Sequence, residues 1–308
     1  MADSRIADLQ GAATVGAFRM AALAARGLPG FAAQNLAPAL GFGASFASPE
    51  RRAMIERHLR RADPTMGEAR LRRAVQLAFD SYTRYWLESF RLPHLPRRTV
   101  ERGMVVEGYE HVTHGLEQGN GVILALPHLG GWEWAGRWLT DRGHRVTAVV
   151  EAIEPPELFE WFRDLRAELG MHIVQLGPTA AREVMAALRR NEIVCLLSDR
   201  DIQRTGVEVE FFGERTTLPA GPVTLAVRSG APLLPTAVYF TDRTDGHLGV
   251  VRPPLPIVRT DAGLRADVAA ATQTLAAELE HLIRRSPYQW HMFQPNWPSD
   301  PGYEKTAR

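Results

Sequence analysis

Short apolar runs alternate with segments of helical periodicity from residue 105 onward. Four of these runs cover residues 121–126, 146–150, 172–175 and 193–198. Parallel strands need helical crossovers between them, because the chain must return to the same end of the sheet before the next strand begins. The alternation therefore predicts an α/β fold with a largely parallel sheet that is flanked by helices.

The first hundred residues lack this alternation and are predicted to form a helical extension. Residues 1–100 would be the extension and residues 101–308 the α/β core, in one continuous structural domain. Within the extension, residues 50–62 have a helical and strongly basic pattern. The spacing Thr65-x-x-Glu68 predicts a capping box, which begins a helix that continues to about Phe90.

An amphipathic pattern runs through residues 4–26. Its apolar positions recur at three- and four-residue steps, at Ile6, Leu9, Ala13, Gly16, Met20 and Leu23. Beside them Arg5, Arg19 and Arg26 are separated by multiples of seven residues and form a basic stripe. This arrangement fits a helix that lies on an anionic membrane, and it equally fits an amphipathic helix that packs on the core.

Composition narrows the classes of function. The formal net charge of +1 argues against nucleic acid as an obligatory partner. The single cysteine, Cys195, cannot form an internal disulfide, and it lies in the apolar run IVCLL, where we expect a buried strand residue rather than a nucleophile. No apolar run approaches the roughly 18–20 residues that span a bilayer. The N-terminus also lacks the order of charged, apolar and small-residue regions that marks a signal peptide.

The segment LALPHLGGWEWAGRW, residues 124–138, contains the strongest candidate for a catalytic group. An apolar strand ends at His128, and Gly130-Gly131 then leads into an aromatic helix with Glu133 in its first turn. Imidazole titrates near neutral pH and suits general-base chemistry. A carboxylate five residues later could fold back across the glycines, fix the tautomer of the ring and stabilise the imidazolium. We therefore predict that His128 and Glu133 are catalytic.

Charged residues follow two further strands of the predicted sheet. Glu151 comes directly after the strand that ends at residue 150, and Asp199 and Arg200 follow the strand that ends at residue 198. Sites in parallel sheets lie at the carboxyl ends of strands, so these residues should converge with His128. We expect Glu151, Asp199 and Arg200 to bind substrate, although a simple turn is the structural alternative for the Asp-rich segment.

Motifs of other catalytic classes are missing from the sequence. There is no G-x-S-x-G element for a serine hydrolase and no H-E-x-x-H element for zinc. His111 and His114 are three residues apart on a predicted helix, but without a third ligand nearby we expect a surface pair. The sequence therefore predicts neither a metal site nor a bound cofactor.

Several blocks of the sequence resemble a bacterial family of lysophospholipid-acyltransferase-like enzymes, which includes the lipid A lauroyl and myristoyl acyltransferases. The blocks are HLGGWE, VVEAI, FRDLRAELG, SDRD, FFGERTTLPAGP, LAVRSGAPLLPTAVYF and the tail WHMFQPNWP. They occur in order and at matching spacings from about residue 70 to residue 298. Among the members of the family, the blocks look most like those of the acyltransferases that act on phosphatidylinositol mannosides.

The resemblance implies a glycerolipid acyltransferase-like fold and particular roles for particular residues. His128 matches the catalytic histidine, and Glu133 matches its acidic partner, where the most similar enzymes have aspartate. Glu151 and Arg166 match polar residues that line the active-site groove. Asp199 falls where those enzymes have glutamate. Taken alone, Arg166 would also fit an ordinary surface ion pair.

The resemblance also implies substrates and a location. The donor would be acyl-CoA, with palmitoyl-CoA expected, and the acceptor a glycolipid, with a mannose of phosphatidylinositol mannoside expected. Trp132 could line a tunnel for the acyl chain or simply pack its helix. The protein would be peripheral, on the cytoplasmic face of the plasma (inner) membrane. The alternatives are another lipid acceptor (a lysophospholipid or a lipid A-like sugar), a thioesterase, and a non-catalytic lipid-binding homologue.

Overall fold

The computed structural model describes residues 15–153 and 155–305. Four positions of the predicted amphipathic pattern (Arg5, Ile6, Leu9 and Ala13) therefore lie outside the described residues. The N-terminal region is helical, as predicted, and its helices are α1 (15–26), α2 (Gly30–Phe46), α3 (Pro49–Ala62), α4 (Glu68–Arg91) and α5 (Arg97–Gly103).

Strands and helices alternate through the rest of the chain. The strands are β1 (Met104–Glu107), β2 (Val122–Leu126), β3 (Val146–Val150), β4 (Met171–Gln175), β5 (Ile193–Leu197), β6 (Val207–Phe211), β7 (Glu214–Leu218), β8 (Leu233–Phe240) and β9 (His247–Val251). The helices are α6 (Tyr109–Glu117), α7 (Trp132–Asp141), α8 (Pro156–Glu168), α9 (Ala180–Arg189), α10 (Gly221–Ser229) and α11 (Leu264–Arg285). Short 3-10 turns cover Leu92–His94, Pro287–Gln289 and Tyr303–Lys305.

The main sheet has seven strands in the order β1-β9-β8-β2-β5-β3-β4. The five strands from β8 to β4 run parallel, whereas β9 is antiparallel to β8 and parallel to β1. This arrangement confirms the predicted largely parallel sheet. It also makes β2, β5 and β3 consecutive neighbours, so the residues that follow these three strands share one edge.

Helices cover both faces of the sheet. On one face α5, α6 and α7 bury Val100, Val112 and Trp134. On the other face α9 and α11 bury Val184 and Leu279. The central strand β2 is buried at every position, which explains why its sequence VILAL is continuously apolar rather than alternating.

Two local features differ from the predictions. Thr65 does not cap α4, because its backbone N–H and its hydroxyl both donate to Asp63 Oδ1, at 3.1 and 2.6 Å. The N-cap is Gly67, without a side-chain hydrogen bond. The Asp63 carboxylate is a closer local acceptor for Thr65, so the predicted capping box is wrong. The polar strand β7, which pairs antiparallel with β6 outside the main sheet, was not predicted.

The helix α2 carries small residues on its buried side and large apolar residues on its exposed side. Its buried positions recur every four residues and are Ala33, Ala37, Gly41 and Ser45. A Cβ at Gly41 would come within 2.8 Å of the Asp80 backbone, so α2 packs closely on α4. Phe31, Leu36, Leu40, Phe42 and Phe46 are exposed instead. None of the described helices has both the length and the apolar character needed to cross a membrane.

The N-terminal helices are joined to the core through buried charges. Glu88 of α4 accepts a hydrogen bond from Arg84 Nε over 2.7 Å and lies 2.8 Å from His247 Nε2 in β9. The His247 ring stacks on Trp134 of α7 with ring centroids 4.3 Å apart. Burial alone raises the pKa of Glu88, but the charges of His247 and Arg84 outweigh burial and lower that pKa to about 2.

We expect Glu88→Gln to destabilise the protein in a pH-dependent way. Because the folded-state pKa of Glu88 lies below its ordinary value of 4.5, its charge stabilises the fold fully above pH 4.5, and this contribution fades as the pH falls toward 2. The substitution should lower the free energy of unfolding by roughly 2–3 kcal/mol at neutral pH. Denaturant titrations at pH 7 and 3.5 should show a smaller loss at the lower pH. The control is Glu117→Gln on the surface, and an equal loss at both pH values would contradict this assignment.

Candidate active site

His128 lies in the loop that follows β2, at the carboxyl edge of the sheet. Two residues later the loop turns at Gly130, which has a φ of 57°. A Cβ at Gly130 would come within 1.9 Å of the Val238 carbonyl oxygen, so only glycine fits this turn. Gly130 N also donates to Gln289 O over 3.0 Å. The loop is therefore held between β8 and the C-terminal part of the chain.

The hydrogen-bond partner of His128 is Asp199. β2 and β5 pair Leu126 with Leu197 in parallel register, so the residues two positions beyond them stand side by side. His128 Nδ1 lies 2.7 Å from Asp199 Oδ1, and His128 N donates to Oδ2 over 3.0 Å. Trp290 Nε1 also donates to Oδ2, over 2.7 Å. One carboxylate thus fixes both the ring and the backbone of His128.

Asp199 also determines which nitrogen of the His128 ring could act as a base. Burial alone raises the pKa of Asp199, but the charge of His128 and the hydrogen bonds from His128 and Trp290 outweigh burial and lower that pKa. An ionised carboxylate only accepts, so His128 Nδ1 donates this hydrogen bond, and in a neutral ring the lone pair would be on Nε2. The His128 side chain is 32% exposed. Within the described parts of the chain no group hydrogen-bonds Nε2.

The predicted contact between Glu133 and His128 is wrong. Glu133 is buried in the first turn of α7 and points toward α4 and α8. Its Oε1 accepts from Tyr85 OH over 2.7 Å and from Arg166 Nη2 over 3.0 Å, and Ser89 Oγ lies 3.1 Å from Oε2. Among the described residues Glu133 has no hydrogen bond to His128, because its side chain is directed at these three partners.

Arg166 forms a buried ion pair with Glu133 rather than a surface ion pair. Burial lowers the pKa of Arg166, but the charges and hydrogen bonds of Glu133 and Tyr85 together outweigh burial and raise it. The guanidinium carbon lies 5.2 Å from the centroid of the Trp132 ring, which is itself buried. Tyr85 stays a hydrogen-bond donor, because burial and the charge of Glu133 raise its pKa well above the ordinary value. Trp132 of α7 and Arg166 of α8 therefore lie together, and Trp132 directly precedes Glu133 in the sequence.

Glu151 and Arg200 meet at the ends of β3 and β5, as their positions predict. Arg200 Nη2 donates to Glu151 Oε2 over 2.8 Å. Both residues line a polar cavity of about 370 Å³, together with Thr216, Gln294 and Asn296. Asn296 Nδ2 donates to the Asp199 carbonyl oxygen over 3.1 Å, so the cavity adjoins the His128–Asp199 pair. Asp199 itself is fully buried, which leaves its side chain no surface for the predicted substrate contact.

The C-terminal strap, residues 289–300, is part of the site and was not predicted from the sequence. The strap supplies Trp290 and Asn296 to Asp199, and His291 N donates to His128 O over 2.7 Å. The only sequence signal was the polar and aromatic tail WHMFQPNWP, which has no periodic pattern. Burial lowers the pKa of His291 to about 3, so this second histidine is neutral beside His128.

Cys195 and His114 do not join the site. Cys195 is buried in β5, and burial raises the pKa of its thiol to about 12, so it does not supply a thiolate. His114 is exposed on α6 and lies 3.6 Å from Glu117. The described residues contain no cluster of three or more side chains that could hold a metal ion.

The chain is similar to several named proteins. It is 39% identical to the phosphatidylinositol mannoside acyltransferase of Mycobacterium tuberculosis over 305 residues, which cover 96% of this chain and 92% of the relative. It is also 39% identical to the phosphatidylinositol mannoside acyltransferase of Mycolicibacterium smegmatis over 237 residues, 76% of this chain and 75% of the relative. A lipid A biosynthesis acyltransferase of Haemophilus influenzae is 26% identical over 190 residues, 59% of this chain and 55% of the relative.

The family assignment follows from the length of these matches. Residues 9–299 match the family described as bacterial lipid A biosynthesis acyltransferase. This match covers nearly the whole chain, and it confirms the resemblance that the sequence blocks predict. The chain belongs to the bacterial lipid A biosynthesis acyltransferase family.

Proposed function

We propose that this chain transfers a long-chain acyl group, palmitoyl, from acyl-CoA to a mannose hydroxyl of a phosphatidylinositol mannoside. The observation that carries the chemistry is the hydrogen bond between His128 Nδ1 and Asp199, which leaves Nε2 as an accessible base. The names of the two mycobacterial relatives support the acceptor. A lysophospholipid or a lipid A-like sugar is the alternative acceptor, and the Haemophilus relative supports the latter.

The reaction needs one base and no acyl-enzyme. Nε2 of His128 takes the hydroxyl proton as the acceptor oxygen attacks the carbonyl carbon of the thioester. Asp199 stabilises the imidazolium that forms, as the orienting carboxylate does in hydrolase triads. The C–S bond of the tetrahedral intermediate then breaks, and the imidazolium gives its proton to the departing sulfur. The products are the acylated lipid and free coenzyme A.

The polar cavity beside the catalytic pair supports a hydroxyl-rich acceptor. Glu151 and Arg200 supply a carboxylate and a guanidinium at its edge, and Thr216, Gln294 and Asn296 add neutral hydrogen-bonding groups. Sugar hydroxyls both donate and accept, so a wall of mixed donors and acceptors suits them better than a purely cationic one. Trp132 and Arg166 lie together beside Glu133, and we assign them to the acyl donor.

The proposed acceptor is a membrane lipid, and the exposed surfaces of α1 and α2 suit contact with a membrane. Met20, Leu23, Phe31, Phe42 and Phe46 are exposed, the last by 84%. The exposed arginines Arg19 and Arg26 can meet anionic headgroups. Val15, Ala22 and Ala25 of α1 are buried, so this helix packs on the core with one side and is open on the other. We therefore propose peripheral attachment to the cytoplasmic face of the plasma (inner) membrane.

Acyl transfer is tested with purified protein, liposomes containing phosphatidylinositol mannoside, and labelled palmitoyl-CoA. Wild type should yield acylated lipid by mass spectrometry together with an equal amount of free thiol. His128→Ala should lower the rate by about 10²–10⁴-fold, because the general base is lost. The control is His114→Ala on the exposed face of α6, which should keep wild-type activity.

Other outcomes separate the alternatives. Free thiol without acylated lipid would make the chain a thioesterase, and lipid binding without thiol release would make it a non-catalytic homologue. Transfer only from an acyl carrier protein would replace acyl-CoA as the donor. Activity of His128→Ala within threefold of wild type, at an unchanged Tm, would remove His128 as the base.

We expect Asp199→Asn to be far more damaging than Glu133→Gln. Two N–H donors, His128 N and Trp290 Nε1, face Asp199 Oδ2, so the amide oxygen of asparagine must take that place. Its NH2 group then faces His128 Nδ1 and forces the ring proton onto Nε2, where it blocks the base. Asp199→Asn should lower kcat by roughly 10³–10⁴-fold. Glu133→Gln should mainly lower Tm and change kcat by less than about tenfold, because its charge neutralises Arg166. A larger kcat loss for Glu133→Gln would restore Glu133 as the partner of His128.

Membrane binding should depend on the exposed phenylalanines of α2. Phe42→Ser combined with Phe46→Ser should weaken binding to anionic liposomes by roughly tenfold for each side chain that inserts. Because both side chains are exposed, Tm should change little. The control replaces Val105 and Val258, exposed valines outside α1 and α2, by serine. Sedimentation with vesicles measures the binding. An equal loss of liposome binding in both double variants would contradict the assignment of α2 as the membrane-binding face.

A further inference from the structure

The C-terminal strap crosses the catalytic pair without regular secondary structure of its own. Trp290 binds the Asp199 carboxylate, and Asn296 binds the Asp199 carbonyl oxygen. After the 3-10 turn at Pro287–Gln289 the strap contains only bends and turns and one isolated bridge, from Trp290 to Leu129. A ladder of backbone hydrogen bonds therefore does not set its path, and other contacts must hold Trp290 and Asn296 in place.

Asp300 closes the end of the strap. Its Oδ2 accepts hydrogen bonds from Asn296 N over 2.9 Å and from Trp297 N over 3.1 Å. The Asp300 side chain is fully buried. This carboxylate therefore fixes the backbone of the residue whose side chain reaches Asp199.

Helix α3 holds Asp300 from the other side. His58 Nε2 lies 3.2 Å from Asp300 Oδ2, and His58 Nδ1 lies 2.9 Å from Met292 O, so one buried ring binds the strap at two points. Arg61 Nη1 lies 2.8 Å from Asp300 Oδ1, where the angle suits an ion pair rather than a hydrogen bond. Burial alone raises the pKa of Asp300, but the hydrogen bonds from His58 and from the strap backbone outweigh burial and lower it. Asp300 is thus a buried anion with fixed partners.

We propose that this α3 clamp, formed by His58, Arg61 and Asp300, is a positioning device for catalysis. Through Asn296 and Trp290 it keeps Asp199, and with it His128, in the orientation that leaves Nε2 free. None of the three clamp residues hydrogen-bonds to the catalytic pair, so their effect is indirect. The kinetic consequence rests on the proposed function, but the state of the His128–Asp199 hydrogen bond can be measured without any substrate.

The clamp is distinguished from ordinary stabilisation by a matched pair of variants. Asp300→Asn keeps the shape but loses the charge that binds His58 and Arg61. Asp267→Asn makes the same change at another covered carboxylate, which binds Arg259 and Thr260 at the start of α11. Both variants should lower Tm. Only Asp300→Asn should lower kcat, by roughly 10–100-fold, with the KM for the acyl donor within about twofold, because displacement of a catalytic group acts on the chemical step.

A spectroscopic signature provides the readout that does not need activity. In protein with 15N-labelled histidine, the Nδ1 proton of His128 should give a downfield NMR resonance that disappears in His128→Ala. At a temperature well below Tm, this resonance should broaden or vanish in Asp300→Asn and persist in Asp267→Asn. A resonance and a kcat that stay at wild-type values in folded Asp300→Asn would overturn the proposal. If wild type transfers no acyl group, the proposed function fails and the resonance alone decides about the clamp.

Asn296→Ala tests the same connection if Asp300→Asn does not fold. It removes the side chain that binds Asp199, whereas its backbone N–H can still reach Asp300. The resonance should weaken as in Asp300→Asn, with a smaller loss of Tm. Where both single variants fold, the double variant should lose no more kcat than Asp300→Asn, since the two residues act in series. Independent, additive losses or an unchanged resonance in Asn296→Ala would contradict transmission through Asn296.

Discussion

The buried carboxylate of Asp199 is the interaction on which the site depends. A fully buried charge costs several kcal/mol unless its partners replace water. The Asp199 carboxylate obtains its partners from two parts of the chain, the loop after β2 and the C-terminal strap. The parallel register of β2 and β5 brings Asp199 beside the loop. The strap contributes Trp290, so the folded C-terminal tail helps to hold the carboxylate that orients His128.

The sequence offers two carboxylates as partners of His128, Glu133 and Asp199, and local geometry explains why the partner is Asp199. Asp199 stands beside His128 because both lie two residues beyond paired positions of adjacent strands. Glu133 lies in the first turn of α7, and from there its side chain reaches Tyr85 and Arg166. The spacing of His128 and Glu133 resembles the acyltransferase motif, but the carboxylate in this motif braces α7 against α4 and α8.

The sheet and its edge could be predicted from sequence, because apolar runs separated by helical segments allow few topologies and parallel strands end on one side. The convergence of His128, Glu151 and Asp199 follows from that rule. The partner of Glu133 could not be predicted, since it depends on Tyr85 and Ser89, more than forty residues earlier in the chain. The strap and β7 escaped prediction for a different reason. Both are polar or aperiodic, and only tertiary contacts fix them.

The N-terminal helices take part in the construction of the site. α4 supplies Tyr85 to Glu133, and α3 supplies His58 and Arg61 to Asp300. Without these helices, two buried carboxylates would lose hydrogen-bonding or charged partners, which costs more than the loss of apolar contacts of similar area. This is the physical reason to propose that residues 1–100 and 101–308 form one continuous structural unit. The neighbouring helices α1 and α2 present apolar side chains to the outside. Attachment to a membrane through α1 and α2 would therefore place the lipid surface next to α3 and α4, which hold Asp300 and Glu133.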